Sequence, residues 1–210
     1  MGRFDLVTLD LDGSLIPHDT VFAAILRENG RAADVKASDD RYFAGATTLE
    51  ECFWEQWAWV QKLSLADLHR GLRKATWLPG IAEGVARLKA AGLRVCLLTD
   101  QPSTCTDFLG RWGLIDAVCS PVQVKEGVQI GITGRFDKLA NLRDRLKEWG
   151  IAESRVCHVG NGSNDVPVFR AVGGSVAVWG DPKVEAAAQR KVPKPASLGE
   201  VVDVVLALNG

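Results

Sequence analysis

Three stretches of the chain share one pattern, a short apolar run followed by a small polar loop. Phe4–Leu9 precedes Asp10, Leu93–Leu98 precedes Thr99-Asp100, and Arg155–Val159 precedes Gly160-Asn161-Gly162. Apolar runs of this length between polar loops are typical of parallel strands that are buried on both faces. Segments with helical spacing separate the runs, so the sequence predicts an α/β fold with a doubly wound, mostly parallel sheet. Such sheets bind ligands at the carboxyl ends of their strands, where all three polar loops are expected.

Glycines mark the predicted ends of three helices. These helices are Ile81–Ala91, ended by Gly92, Leu139–Trp149, ended by Gly150, and Asp165–Val172, ended by Gly173 and Gly174. Ser175–Trp179 is predicted as a fourth strand. Ser197 and Glu200 have the spacing of a capping box, which predicts a last helix over Leu198–Leu208. Val122–Thr133 alternates apolar and polar residues around a Lys-Glu-Gly turn, which predicts a β-hairpin outside the main sheet.

The segment over residues 17–78 interrupts this alternation and is helical in pattern throughout. Four of its residues form one apolar stripe at helical spacing: Leu49, Phe53, Trp57 and Val60. A Ser-x-x-Asp capping box that begins at Ser64 predicts a further helix. We therefore predict a core domain made of residues 1–16 and 79–210. The helical segment is predicted as a small cap domain that covers the strand ends.

The composition is that of an ordinary soluble globular protein. Hydrophobic residues make up 47% of the chain and charged residues 24%, and the formal net charge is −1. Because the chain has no excess of basic residues and no long apolar run, we expect neither a nucleic-acid partner nor a membrane span. The beginning of the chain lacks the pattern of a signal peptide. The five cysteines are scattered and form no CxxC motif, so we expect reduced thiols in a cytoplasmic protein.

Two carboxylates, Asp10 and Asp12, follow the first predicted strand. Like charges this close repel each other, and burying either one without a partner is costly. A hard cation such as Mg²⁺ would keep both acids ionised, because it prefers a few carboxylates, waters and a phosphate. One acid could then attack phosphorus while the other handles protons. The alternative is that Asp-Gly-Ser ends the strand in a turn with solvated aspartates, and this motif alone does not decide between the two.

Three more polar features are expected at the same edge of the sheet. Thr99 can offer a hydroxyl and a backbone N–H to an anion, and Lys138 can supply a positive charge from the start of a helix. Gly160–Asp165 combines two glycines for a tight turn with a carboxylate for a metal or its waters. Each feature also has a purely structural interpretation, as a core threonine, a surface lysine or a capped turn. Together, and in this order, they provide an anion binder, a cation and a metal site beside the aspartate pair.

This set of motifs resembles the haloacid dehalogenase (HAD) superfamily of phosphohydrolases over nearly the whole chain. Asp10–Ser14 matches the first motif of the family, and Thr99, Lys138 and Gly160–Asp165 match the second, third and fourth. The resemblance implies that Asp10 is the nucleophile, which forms an aspartyl-phosphate, and that Asp12 is the general acid and base. It also implies that Thr99 and Lys138 bind the phosphoryl oxygens. We place Asp100 in the same phosphate-binding group.

The same resemblance implies a bound Mg²⁺ ion. Its ligands would be Asp10, the carbonyl of Asp12 and the fourth motif, where Asn161 and Asp165 are the candidates. The family has an acid at the place of Asn161, so this chain lacks one negative charge there and should bind the metal more weakly. The helical insertion is similar to the cap of the phosphoserine-phosphatase-like branch, and so is the Leu78-Pro79-Gly80 lead into the second strand–helix unit.

The insertion differs from that branch where the resemblance implies a substrate pocket. Asp19 lies near the position of an acid that holds the substrate's ammonium group, but the arginine for its carboxylate falls at or near Trp54. An indole cannot make the bidentate contact that a carboxylate needs. We therefore expect a substrate other than phosphoserine, with an apolar, aromatic or sugar-like face. Trp54 and His18 are candidates for substrate contact, although the tryptophans could also form the core of the cap. His158 is expected to be a core residue.

The sequence thus predicts a Mg²⁺-dependent phosphatase that acts on a small phosphorylated metabolite. Two alternatives remain open. One is a phosphotransferase or mutase that uses the same aspartyl-phosphate. The other is a binding or regulatory protein in which Asn161 has weakened catalysis. A metal-free dehalogenase fits less well, because Asp12 would be superfluous to it.

Overall fold

The computed structural model describes residues 2–102, 107–114, 118–119, 122–125, 128–132 and 135–210. Six parallel strands form the main sheet: Leu6–Leu9 (β1), Arg94–Leu98 (β2), Val118–Cys119 (β3), Val156–Gly160 (β6), Gly174–Val178 (β7) and Arg190–Val192 (β8). A separate antiparallel hairpin consists of Val122–Lys125 (β4) and Val128–Ile132 (β5), and its tip lies outside the described residues. The predicted α/β class, the parallel sheet and the hairpin are confirmed.

The strands of the main sheet lie in the order β3-β2-β1-β6-β7-β8. The chain therefore starts in the middle of the sheet, moves to one edge and then returns to build the other side. The direction reverses between β1 and β6, which is where doubly wound sheets bind ligands. Leu9 at the end of β1 lies opposite Leu97 on β2 and Val159 on β6. The polar residues that follow these three strands consequently arrive together at one edge.

The insertion after β1 forms four helices, Val21–Glu28 (α1), Ala32–Phe43 (α2), Leu49–Val60 (α3) and Leu65–Lys74 (α4). Phe53, Trp57 and Val60 are buried, as the apolar stripe of α3 predicts, whereas Leu49 is only partly buried. Helix α4 begins with the predicted capping box at Ser64, and α3 begins with a second complete box. The helical character of the insertion is thus confirmed. The division of the chain into two domains stays a prediction.

The remaining α-helices of the described ranges are Ile81–Ala90 (α5), Lys138–Trp149 (α6), Val166–Ala171 (α7), Pro182–Ala187 (α8) and Leu198–Asn209 (α9), and Asp107–Trp112 and Glu153–Arg155 are 3₁₀ helices. Alternate residues of each strand face opposite sides of the sheet. Val7 and Leu9 of β1 belong to the core that contains α5 and α9, whereas Leu6 packs with residues of α6 and α7. Because both faces of the sheet are covered, its strands are apolar on both faces.

One local prediction is wrong. Ser197 does begin α9, but its hydroxyl makes no capping hydrogen bond with the described residues. The Glu200 carboxylate accepts instead from the N–H of Ala196 at 3.1 Å. The carboxylate therefore reaches the residue before the cap, and the reciprocal pair of a capping box does not form. Within the described ranges, none of the helices is long and apolar enough to span a membrane.

Candidate active site

A buried lysine bridges two aspartates that come from different loops at this edge of the sheet. Lys138, the first residue of α6, donates to Oδ1 of Asp10 at 2.6 Å and to Oδ1 of Asp165 at 2.7 Å. All three side chains are buried, with exposed fractions of 4% or less. Helix α6 begins here because the Asp137 carboxylate caps it by accepting the N–H of Ala140. Lys138 thus connects the end of β1 to the loop after β6 across the reversal point of the sheet.

Burial and neighbouring charges act in opposite directions on these three groups. Burial raises the pKa of Asp10 to about 7, and Lys138 offsets only part of that shift. Burial would also raise the pKa of Asp165, but the ammonium of Lys138 and the hydrogen bond to His158 bring it below its ordinary value. Burial opposes the charge on Lys138 as well, yet Asp10 and Asp165 raise its pKa above the ordinary value. Lys138 is therefore a fixed positive charge beside Asp10.

Asp165 holds the loop of the fourth motif together. Its Oδ2 accepts the backbone N–H groups of Asn161 and Gly162, both at 2.9 Å. Its Oδ1 accepts from Lys138 and lies 3.0 Å from Nε2 of His158. Both oxygens are thus engaged within the protein. The prediction that Asp165 is itself a metal ligand disagrees with this geometry, because a metal would have to displace one of these hydrogen bonds. Asp165 instead positions Lys138 and the loop.

His158 supports Asp165, and sequence reasoning missed this role. The residue is fully buried, as predicted for a core position. Its Nδ1 lies 2.8 Å from Oγ1 of Thr8, which is its register partner on β1. Because an ionised carboxylate can only accept, Nε2–H of His158 donates to Asp165, and Nδ1 pairs with the Thr8 hydroxyl. The available signal was a polar residue on each of two adjacent buried strands.

Asp12 is held on the other side of the site. Its Oδ1 accepts the N–H of Val21, the first residue of α1, at 2.7 Å, and its Oδ2 accepts from Nε2 of Gln101 at 2.5 Å. Burial raises the pKa of Asp12 to about 6, although both hydrogen bonds oppose the shift. A carboxyl group that titrates near neutral pH can both donate and accept a proton, as a general acid and base must.

Asn161 lies directly against the first motif. Its Oδ1 is 3.2 Å from Oγ of Ser14, and the same hydroxyl donates to Oδ2 of Asp10 at 2.9 Å. Gly13 permits this approach, since it has a φ of 74° and a Cβ there would lie 2.1 Å from Nδ2 of Asn161. The Ser14 hydroxyl is therefore within hydrogen-bonding distance of both Asp10 and Asn161.

The donor atoms fit a hard cation that has few protein ligands. Asp10 supplies a carboxylate and Asn161 an amide oxygen, which are ligand types that Mg²⁺ prefers. Within the described ranges, no group of three or more His, Cys, Asp or Glu side chains could form a metal cage. Mg²⁺ often keeps several waters and binds through one or two carboxylates plus substrate phosphate oxygens. The residues present fit such an ion, and the backbone oxygen of Asp12 stays a predicted further ligand.

A cavity of about 1120 Å³ extends from this edge towards α1, α2 and α3. We call the part of the cavity at the strand ends the floor. It consists of Asp10, Asp12, Thr99, Asp100, Lys138 and Asn161. The structure thus brings most of the predicted site residues together. Thr99 is buried, and its hydroxyl accepts the N–H of Gln101 at 3.2 Å. The carboxylate of Asp100 accepts from Nδ2 of Asn164 at 3.2 Å. A carboxylate repels phosphate, so the predicted phosphate-binding role of Asp100 can apply only to its backbone N–H.

Aromatic rings and an ion pair line the opposite side of the cavity, which we call the cap wall. Phe53 lies 5.2 Å from Phe22 and 4.8 Å from Phe136 between ring centroids. Both oxygens of Asp19 accept from the guanidinium of Arg27, with Nη1 at 3.0 Å. Arg27 was missed from the sequence because it lies outside the motifs. Its position on α1, eight residues after Asp19, was the available signal.

Trp54 lies behind the cap wall, not in it, within the part of the chain that the structure describes. Its indole packs edge-on against Phe53 at 5.1 Å and donates to Glu50 at 3.3 Å. The expectation that Trp54 faces the substrate disagrees with this arrangement, because Phe53 is among the residues of α3 that line the cavity and Trp54 is not. His18 does line the cavity, and its ring packs edge-on against Trp179 at 4.8 Å.

The floor combines two aspartates after the first strand, a buried lysine and a glycine-rich loop at the reversal point of a parallel sheet. These features define a phosphoryl-transfer site on a Rossmann-like α/β fold. Residues 7–170 match the haloacid dehalogenase-like hydrolases, and the chain belongs to this family. It is a phosphatase of the phosphoserine-phosphatase-like branch.

Several relatives are named phosphoserine phosphatase. The chain is 31% identical over 192 residues to that of Albidiferax ferrireducens, covering 84% of this chain and 79% of the relative. It is 24% identical over 206 residues to that of Streptococcus thermophilus, covering 95% of both. A structure described as a phospho-aspartyl intermediate analogue of phosphoserine phosphatase superposes with a TM-score of 0.77 at 20% identity, covering 96% of this chain and 99% of that one. These names conflict with our expectation that phosphoserine is not the substrate.

Proposed function

We propose that the protein is a Mg²⁺-dependent phosphatase that hydrolyses a small phosphomonoester through an aspartyl-phosphate on Asp10. The observation that carries this proposal is the contact of Lys138 with Asp10, which puts a nucleophile and a fixed cation side by side in a buried site. The Asp10 carboxylate attacks phosphorus and the bond from phosphorus to the leaving oxygen breaks. Asp12 gives its proton to that oxygen and later takes one from the water that hydrolyses the aspartyl-phosphate.

The floor neutralises charge in both steps. Lys138 faces the negative charge on the phosphoryl oxygens, and Thr99 offers them polar hydrogens. A Mg²⁺ ion held by Asp10, Asn161 and the backbone oxygen of Asp12 would neutralise phosphoryl charge further. Ser14 fixes the orientation of Asp10 by donating to its second oxygen.

Turnover of p-nitrophenyl phosphate tests this proposal. We expect hydrolysis that stops on addition of EDTA, returns with excess Mg²⁺ and is lost in Asp10→Asn. Equal release of p-nitrophenol and inorganic phosphate indicates transfer to water, whereas less phosphate than p-nitrophenol would favour a phosphotransferase or mutase. No turnover at high Mg²⁺ would favour the binding or regulatory protein.

We also propose that the leaving group carries no carboxylate. Arg27 supports this inference because both oxygens of Asp19 already occupy its guanidinium, and Lys36 on α2 is paired with Asp40. A substrate carboxylate would meet a guanidinium whose charge Asp19 already balances and two of whose five N–H groups are in use. The rings of Phe22 and Phe53 favour an apolar or sugar face in the same space.

Phosphoserine is the second candidate substrate. It is favoured by the position of Arg27 on the cavity and by the names of the relatives. Phosphoserine and phosphoethanolamine form a matched pair, because they differ only by the carboxylate. A kcat/KM at least as high for phosphoethanolamine supports our proposal. A preference for phosphoserine that disappears in Arg27→Met would establish the second candidate, and sugar and aromatic phosphates complete the comparison.

A further inference from the structure

The side chain of Asp100 has no task in the mechanism above. The residue follows Thr99 at the end of β2, and its Oδ2 accepts from Nδ2 of Asn164 at 3.2 Å. Its Oδ1 is buried and has no hydrogen-bond partner among the described residues. A buried carboxylate oxygen without a partner costs free energy, so native proteins rarely keep one without a reason. Asp100 lines the cavity, so a ligand that enters the cavity is the candidate partner from outside the chain.

The charges of the floor restrict the nature of that partner. Asp100 acts electrostatically on Asp12, Lys138 and Asp165, so its carboxylate belongs to the same charge cluster. Lys138 already donates to Asp10 and Asp165. The phosphate of the substrate brings more negative charge and cannot satisfy a carboxylate oxygen. A cation is therefore the chemical class that fits Oδ1 of Asp100.

The position of Asp100 relates it to the fourth motif. Strands β2 and β6 flank β1, so the loops after them lie on the two sides of Asp10. Asn164 comes from the loop after β6 and holds Asp100 from the loop after β2. Asn161 lies in the same loop as Asn164 and brings a neutral amide, not a carboxylate, to the first motif. The negative charge that is missing on one side of Asp10 is thus present on the other.

We propose that Asp100 belongs to the cation site of this phosphatase and supplies the negative charge that Asn161 lacks. This inference rests on the metal dependence of the proposed function. Because the described side chains form no metal cage, Asp100 acts on a cation that keeps most of its waters. Asp100 lowers the free energy of the bound ion without replacing Asp10 as its ligand.

Binding of Mn²⁺ to the substrate-free protein tests the inference without any turnover. Electron paramagnetic resonance of free Mn²⁺ gives the Kd for the wild type, Asp100→Asn, Asp10→Asn and the matched control Asp39→Asn. Asp39 lines the cap wall of the same cavity, so its substitution removes an equal charge at a different place. We expect Asp100→Asn to raise Kd about tenfold or more. The control should leave Kd unchanged, and circular dichroism verifies the fold of each variant.

Moving the charge separates a cation-binding role from a structural one. Asn161→Asp in the Asp100→Asn background should return Kd close to that of the wild type. A Kd that stays high in this double variant would overturn the inference. An unchanged Kd in Asp100→Asn, together with lost binding in Asp10→Asn, would also overturn the inference. That result would leave the proposed metal dependence of the phosphatase intact. A wild type without Mn²⁺ binding and with EDTA-insensitive turnover would overturn both proposals.

Discussion

The floor of the cavity and the helical insertion above it are built in different ways. On the floor, Lys138 and Asp10 are 3% and 4% exposed, and each is fixed by hydrogen bonds with other buried side chains. On the cap wall, Arg27 and Asp19 are 45% and 16% exposed, and their ion pair joins the last turn of α1 to the segment before its first turn. Helices α3 and α4 of the insertion begin with complete capping boxes, whereas α9 of the core has no side-chain cap among the described residues.

This difference in burial indicates that the two regions have different functions. Buried charges in a low-dielectric site keep their geometry and act strongly on developing charge, which suits the chemical step. Half-exposed pairs on a helix exchange partners at little cost and can be replaced without disturbing the sheet. The chemistry therefore belongs to the edge of the sheet, and the choice of leaving group belongs to the insertion.

Asp10→Asn should have the largest effect and tests the role of the floor. The amide keeps the shape of the side chain but is a poor nucleophile, so we expect kcat for p-nitrophenyl phosphate to fall about 10⁴-fold. Asp39→Asn removes the same charge from the cap wall and should change KM without a comparable loss in kcat. Similar losses in the two variants would contradict the division of work between the regions.

Lys138→Met should be the most destabilising of the charge substitutions. It removes the ammonium between Asp10 and Asp165 and leaves buried carboxylates without their partner, which costs about 3 kcal/mol or more. Lys36→Met is the matched control in the insertion, because its pair with Asp40 is solvent-exposed. That substitution should cost about 0.5 kcal/mol or less. Urea unfolding in the presence of EDTA measures both without compensation by a metal, and equal midpoints would contradict the comparison.

The floor was also the region that the sequence predicted best. Strand ends in a parallel sheet converge on one edge, so Asp10, Thr99 and Asn161 could be placed together from the order of the apolar runs alone. Lys138 could be added through its match to the third motif of the family, since a lysine at a helix start has no specific signal by itself. The hydrogen bonds of Asp165 could not be foreseen, since they depend on which of several oxygens each loop presents.

The cap wall was predicted less well for a physical reason. Neighbouring positions on a helix point about 100° apart, so an error of one residue in the alignment exchanges Phe53 for Trp54 at the cavity. Arg27 in the last turn of α1 pairs with Asp19, which precedes the helix, and no short motif signals a pair at this separation. The capping box predicted at Ser197 failed because spacing alone does not determine where a glutamate side chain reaches.

Arg27→Met tests whether the cap wall selects the leaving group without taking part in the chemistry. Because the pair with Asp19 is partly exposed, we expect a loss of stability of about 1 kcal/mol or less. The kcat for p-nitrophenyl phosphate should be unchanged, and kcat/KM should change about tenfold only for substrates whose leaving group contacts the guanidinium. A fall in kcat of the same size for every substrate would instead place Arg27 with the floor.

The smallest predicted effect is on the free energy of unfolding and concerns the N-terminal residues of α4 and α9. The Ser64 hydroxyl accepts the N–H of Asp67 at 3.2 Å, so Ser64→Ala should destabilise the protein by about 1 kcal/mol. Ser197 occupies the corresponding position of α9 but makes no capping bond with the described residues, so Ser197→Ala should leave stability nearly unchanged. Urea unfolding of both variants checks this difference. If Ser197→Ala were the more destabilising, α9 would depend on a local cap after all, and the contrast with α4 would be lost.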